Sequence, residues 1–238
     1  MRRSPTTSAP IVDRLTVLRA LGVLLTYPRA ELRAALAEIG TALAGSPLLP
    51  QSERERLAAL IEEMRATEPI ELEARYVGLF DHGRSTSLNL FEHVHGESRD
   101  RGAAMVELKQ IYANAGFQLA AGELPDHLPV LLEYLSCRTL EEARAMLGDC
   151  AHILRAIGEA LIARGSRYAA VFAALLSIAR QPGLDWAKAA ETTARERFDE
   201  DWAEAPAFGP AAPAAERAPI RFMSRKPAGA TTRNGDAK

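Results

Sequence analysis

Residues 139–165 read TLEEARAMLGDCAHILRAIGEALIARG. Thr139 and Glu142 stand three apart, the spacing of a capping box, in which a hydroxyl and a carboxylate each satisfy a free N–H at a helix start. Behind them Ala143, Met146, Leu147, Cys150, Leu154, Ile157 and Leu161 recur mostly at three and four residues. That interval stacks side chains on one helical face, whereas a strand alternates with period two. Gly165 suits the left-handed turn that closes a helix. The spacing predicts one long helix.

The same interval extends in both directions. Toward the N-terminus, Pro125 is placed to open a helix with Leu128, Leu131, Leu132 and Leu135 as its inner face. Ala104, Leu108, Ile111, Tyr112 and Ala115 mark another, closed by Gly116. Pro69 opens a third, with Leu72, Tyr76, Leu79 and Phe80 on one face. Ser52 and Glu55 form a second capping-box pattern before Leu57, Leu60, Ile61 and Met64. Leu32–Leu43 and Leu15–Leu25 supply two more, stopped by Gly45-Ser46-Pro47 and by Pro28. Toward the C-terminus, Tyr168, Phe172, Leu175, Leu176 and Ala179 form a helix up to Pro182-Gly183, and a weakly amphipathic one covers 185–199. Short connections between such helices point to an all-α, single-domain bundle of about eight or nine helices.

Composition agrees. Of 238 residues 44 are Ala, the best helix former, while Val, Ile and Thr together number 30. Sandwiches, barrels and large parallel sheets are disfavoured. The chain divides into a polar flexible N-terminus (1–10), a helical domain (11–202) and an Ala/Pro/Gly-rich tail (203–238) expected to be disordered. The net charge of −2 averages a body at −5 and a tail at +3. No strong attraction to nucleic acid follows, and only the basic tail would support a helical nucleic-acid binder. Two cysteines, Cys137 and Cys150, are too few for a disulfide framework and are expected as small buried groups in a reduced, cytoplasmic protein. No apolar run reaches the ~18 residues of a membrane span. Leu15–Leu25, interrupted by Arg19, reads as a core helix rather than a signal peptide.

Chemistry-bearing residues gather where the period fails, between Leu88 and Gly102. Glu92-x-x-His95 has the spacing of carboxylate-bundle metal ligands, so a metal-dependent helical enzyme using Glu92, His93 and His95 is the rival reading. Bundles of that kind repeat the motif, and the nearest repeat is only Asp149-x-x-His152. The plainer reading is a fixed loop held by hydrogen bonds. Asp100 suits the start of the following helix, with Arg99 and Arg101 beside it. A second polar set surrounds Pro125: Asp126 and Glu133 are seven apart, which on one helix gives a shared face, with His127 offset. Nucleophile elbows, Walker loops and dinucleotide-binding glycine patterns do not occur.

These blocks carry a resemblance. Leu88–Gly102 (LNLFEHVHGESRDRG), with Tyr76-Val77 and Phe80-Asp81 before it, closely resembles the NarJ family of assembly chaperones, or delta subunits, of membrane-bound respiratory nitrate reductase. Glu123–Ser136 (ELPDHLPVLLEYLS) resembles the second signature of that family, and its Pro125-Asp126-His127 core is similar to the wider TorD/DmsD group. The match covers roughly residues 13–180. The resemblance implies a cytoplasmic, non-catalytic protein with no cofactor or metal of its own. It implies as partner the immature catalytic (alpha) subunit of nitrate reductase, recognised through its N-terminal segment as an amphipathic helix. The subunit would be kept competent for molybdenum cofactor insertion before membrane docking, with the cofactor delivery machinery as a further contact and no direct membrane insertion. His93, His95, Arg99, Asp126 and His127 carry the signature. An acidic body suits a basic segment, so Asp126, Glu133, Glu97 and Asp100 are the expected electrostatic contacts, and Leu88, Leu90 and Phe91 the exposed or half-exposed apolar ones, with Glu92 beside them.

Overall fold

A computed structural model describes residues 15–95 and 99–187. Among them run ten α-helices: α1 (Thr16–Leu24), α2 (Ala30–Ala44), α3 (Gln51–Ala66), α4 (Pro69–Phe80), α5 (Glu92–His95), α6 (Arg99–Asn114), α7 (Leu128–Ser136), α8 (Leu140–Asp149), α9 (Ala151–Ala163) and α10 (Ala169–Ile178). A 3₁₀ turn, Arg84–Thr86, lies between α4 and α5. The all-α expectation holds, and no described helix is long and apolar enough to cross a membrane.

The core is built around α10. Its sequence AAVFAALLSI has no polar face, and every residue except Ser177 is buried. A helix apolar on all sides must be surrounded, and α9, α3, α8 and α1 do so. The α1 helix packs most extensively against α7. Gly22 permits this approach: a Cβ there would sit 3.2 Å from Leu132 Cβ. Tyr27, Tyr76, Phe80 and Tyr168 form a ladder of ring contacts 5.0–5.6 Å apart. The Tyr76 hydroxyl donates to the Leu25 carbonyl, so α4 is tied to the end of α1.

The long helix expected over 139–165 is two. Its start is as expected, since the Thr139 hydroxyl accepts from Glu142 N–H (3.2 Å) and the Glu142 carboxylate accepts from Thr139 N–H (3.0 Å). The helix then breaks at Cys150, whose backbone (φ −100°, ψ 9°) belongs to neither half. Gly148 weakens the helix there by about 1 kcal/mol, and the Cys150 thiol donates to the Met146 carbonyl. The break lets α8 bury Ala143 and Leu147 while α9 turns Ile153, Leu154, Ile157 and Leu161 toward α10. With the short α5, it raises the helix number above the eight or nine expected. Gly116 (φ +84°) and Gly165 (φ +65°) take the left-handed closing conformation.

Two expected starts are corrected. The Ser52/Glu55 capping box does not form: α3 begins at Gln51 behind Pro50, and Ser52 lies inside the first turn with its hydroxyl on Glu53. Pro125 does not open α7, which starts at Leu128 with Pro129 in its first turn. Of the helix expected over 185–199, residues 186 and 187 are described as helical, and the rest lies outside the described residues, as do 1–10, the tail 203–238 and Glu97.

Candidate partner-binding site

The two signature blocks are clasped together through residues more than thirty positions apart. Leu90 N–H donates to the Asp126 carbonyl (3.1 Å) and Leu128 N–H to the Leu88 carbonyl (2.9 Å). These two bonds make an antiparallel bridge between Asn89 and His127. Among the described residues it is the one β-pairing, and it joins two segments that have no helical bonds of their own to satisfy their N–H groups. The Asp126 side chain adds a third tie, accepting from Phe91 N–H at 3.1 Å through Oδ2. Pro125 contributes its carbonyl, which accepts from the Tyr112 hydroxyl of α6 (2.8 Å). The Tyr112 ring stacks 4.6 Å from Tyr134 of α7.

Asp126 is fully buried, and its Oδ1 has no hydrogen-bond partner among the described residues. Burial pushes its carboxyl above the usual range, opposed by the Phe91 N–H and the Arg101 charge and reinforced by Glu92. His127 is half-buried at the N-cap of α7, and burial holds its imidazole below the ordinary value against the charges of Glu123 and Asp81.

Glu92 organises the other side of the clasp. Its carboxylate accepts from the Ser87 hydroxyl (2.5 Å), the Asn89 amide (3.0 Å) and Arg101 Nη2 (3.1 Å). Burial alone would raise its pKa, but these three partners together outweigh that and hold it below the usual value. His93 Nε2 lies 2.8 Å from the Ser87 carbonyl. A carbonyl only accepts, so this nitrogen carries the hydrogen. Both groups are thus engaged in holding the loop. Among the described residues no three His, Cys, Asp or Glu gather as metal ligands.

Several expected contacts are corrected. Leu88, Leu90 and Phe91 are 4%, 0% and 1% exposed, not surface contacts. The segment has no clean period because Leu88–Phe91 precede the one-turn α5, yet those residues fold over the core, which buries Leu88, Leu90 and Phe91 and leaves Val94 half-buried. Asp126 and Glu133 do not share a helical face, because Asp126 precedes α7 while Glu133 is exposed on it. Asp100 is exposed in the first turn of α6. Arg99 opens that helix and His95 ends α5. Asp149 and His152 fall on separate helices, with His152 exposed. Cys150 is buried, its thiol pushed up to about 12 by burial, but Cys137 is exposed at the end of α7.

Ser87, Asn89, Arg101 and Tyr112 complete the clasp and were not anticipated. Asn89 three residues before Glu92 was a legible signal, the spacing at which an amide reaches a carboxylate at a helix start. Arg101 was legible only as a charge beside Asp100 and Tyr112 only as an inner-face residue, because both reach their partners, Glu92 and Pro125, across loops.

The clasp lies within a longer match. Residues 27–174 match the family described as nitrate reductase delta subunit. The chain belongs to that family. It is 45% identical over 177 residues to the nitrate reductase molybdenum cofactor assembly chaperone NarJ of Escherichia coli (strain K12), covering 74% of this chain and 75% of that one. It is 40% identical over 167 residues to the probable nitrate reductase molybdenum cofactor assembly chaperone NarW of the same strain, covering 69% and 68%. Over 179 residues it is 32% identical to the probable chaperone NarJ of Bacillus subtilis (strain 168), covering 72% and 92%. A member of the delta subunit family with these relatives is a chaperone, not an enzyme.

Proposed function

We propose that this chain is a cytoplasmic assembly chaperone for nitrate reductase, and that it binds the immature catalytic subunit through that subunit's N-terminal segment. Binding keeps the subunit competent for molybdenum cofactor insertion and delays membrane docking. The observation that carries the reading is the 45% identity to a chaperone of that description, over a stretch that includes both clasped blocks. The accessible members of the site are the contacts: Asp100 and Glu133, which are exposed, and Glu92, His93 and His127, which are half-buried. Leu88, Leu90, Phe91 and Asp126 act from beneath by fixing the shape of the clasp.

Titration calorimetry of the full chain with a synthetic peptide from the start of the catalytic subunit tests this. The wild type should bind. The double variant Asp100→Ala/Glu133→Ala should bind more weakly with its melting temperature unchanged, because exposed charges set attraction and on-rate. Leu90→Ala removes a fully buried side chain and should cost about 2–5 kcal/mol of stability before any effect on the peptide is read. No heat with the wild type would overturn the reading. In cells, deletion should leave the catalytic polypeptide made but free of cofactor.

A further inference from the structure

A groove of about 310 Å³ separates α2 from α3, away from the clasp. Leu36, Gly40 and Ile61 lie along it, and Arg54 and Arg65 line its α3 side. A Cβ at Gly40 would meet only Ile61 Cδ1, at 3.7 Å, so no contact within the described fold requires glycine there. Glycine inside a helix costs about 1 kcal/mol relative to alanine. Its effect here is to keep the groove open.

The described chain ends on α3, at Arg56, on the flank of that helix opposite the groove lining. After α10 the segment Gln181–Ala187 folds back, with Leu184 against Gly158 of α9 and Arg155 donating to the Pro182 carbonyl. The Trp186 ring then stacks 4.6 Å from the Arg56 guanidinium of α3. Residues 188–238 therefore set out from α3 itself. Within their first fifteen come Phe198 and Trp202, four apart, around Asp199, Glu200 and Asp201, with Glu204 just beyond. Side chains four apart share one face of a helix. The eleven residues from Ala187 to Phe198 span about 16 Å even as a helix, enough to cross the exposed side of α3. The groove lining carries two arginines and one acid, Glu62, which is paired with Arg65. That balance suits an acidic aromatic segment and not a basic one.

We propose that Phe198–Trp202 (FDEDW) docks in the α2–α3 groove, its two rings on Leu36, Gly40 and Ile61 and its carboxylates toward Arg54 and Arg65. The helical domain then ends at Trp202, where the composition changes to the Ala/Pro/Gly-rich tail. The test uses the full chain carrying Trp186→Phe, which keeps a ring over Arg56 and leaves Trp202 as the single tryptophan. Trp202 emission should be blue-shifted, and acrylamide should quench it several-fold less than free tryptophan amide. Ala37→Glu, at an exposed groove position, or Arg65→Glu should restore quenching with unchanged far-UV circular dichroism. Trp202 that is fully accessible in the parent overturns the proposal. So does protection that ignores both groove variants, and so does protection lost on dilution, which would assign the groove to a second copy of the chain.

Discussion

A carboxylate with no solvent exposure and one bare oxygen is costly when ionised, and Asp126 is such a group. Its folded pKa is raised, so between the ordinary carboxylate value and the folded value the native state holds a proton that the unfolded chain has released. Stability therefore falls as pH rises through that window. Asp126→Asn should flatten this slope in urea denaturation measured across acid pH. Asp126→Ala strands the Phe91 N–H and should cost about 1–3 kcal/mol at neutral pH. Glu92 acts with the opposite sign: its lowered pKa gives stability that is present above the ordinary carboxylate value and lost as pH falls through the folded one. Glu92→Gln should remove only that lower window. The residue types of this site were legible, because two His, three acids and two Arg crowd into residues 88–102. Their roles were not. An aspartate seven residues from a glutamate shares its face only if one helix contains both, and α7 begins two residues after Asp126.

Helix starts differ in how much of their chemistry is local. Thr139 and Glu142 bond reciprocally across one turn, while Ser52 and Glu55 have the same spacing and do not. Pro50 shifts the start of α3, so Ser52 never occupies the capping position. Thr139→Ala should cost about 1 kcal/mol, or a few degrees of melting temperature for a domain of this size. Ser52→Ala should stay within ~0.5 kcal/mol, as surface changes away from such features do. An equal loss at both positions would sink the distinction. The period of three and four residues was enough to place nearly every helix, because burial of one face drives helix formation in a protein. It did not show the break at Cys150, since the two halves continue the apolar pattern through the bend.

At the scale of the whole molecule, helices are fixed to one another by close approaches that small residues permit. Among the described helical glycines Gly158 is the tightest: a Cβ there would lie 2.8 Å from both Leu184 methyls and 3.1 Å from Phe172 Cβ. Gly158→Val should overpack this contact and cost about 1–3 kcal/mol. It should also release the Gln181–Ala187 strap, read as a red shift of Trp186 emission in a Trp202→Phe background. Unchanged emission and stability would show that the strap is held elsewhere. The sequence by itself determined that this chain is helical, where most helices lie and which two blocks carry its family signature, because helical period, caps and motif residues are local properties of a few consecutive positions. Only the tertiary structure decided that the two blocks are clasped by three hydrogen bonds, that Leu88, Leu90, Phe91 and Asp126 lie beneath the surface, and that Arg101 and Tyr112 complete the site. Those facts depend on which segments meet across loops, and a contact between distant segments is set by the packing of the whole core.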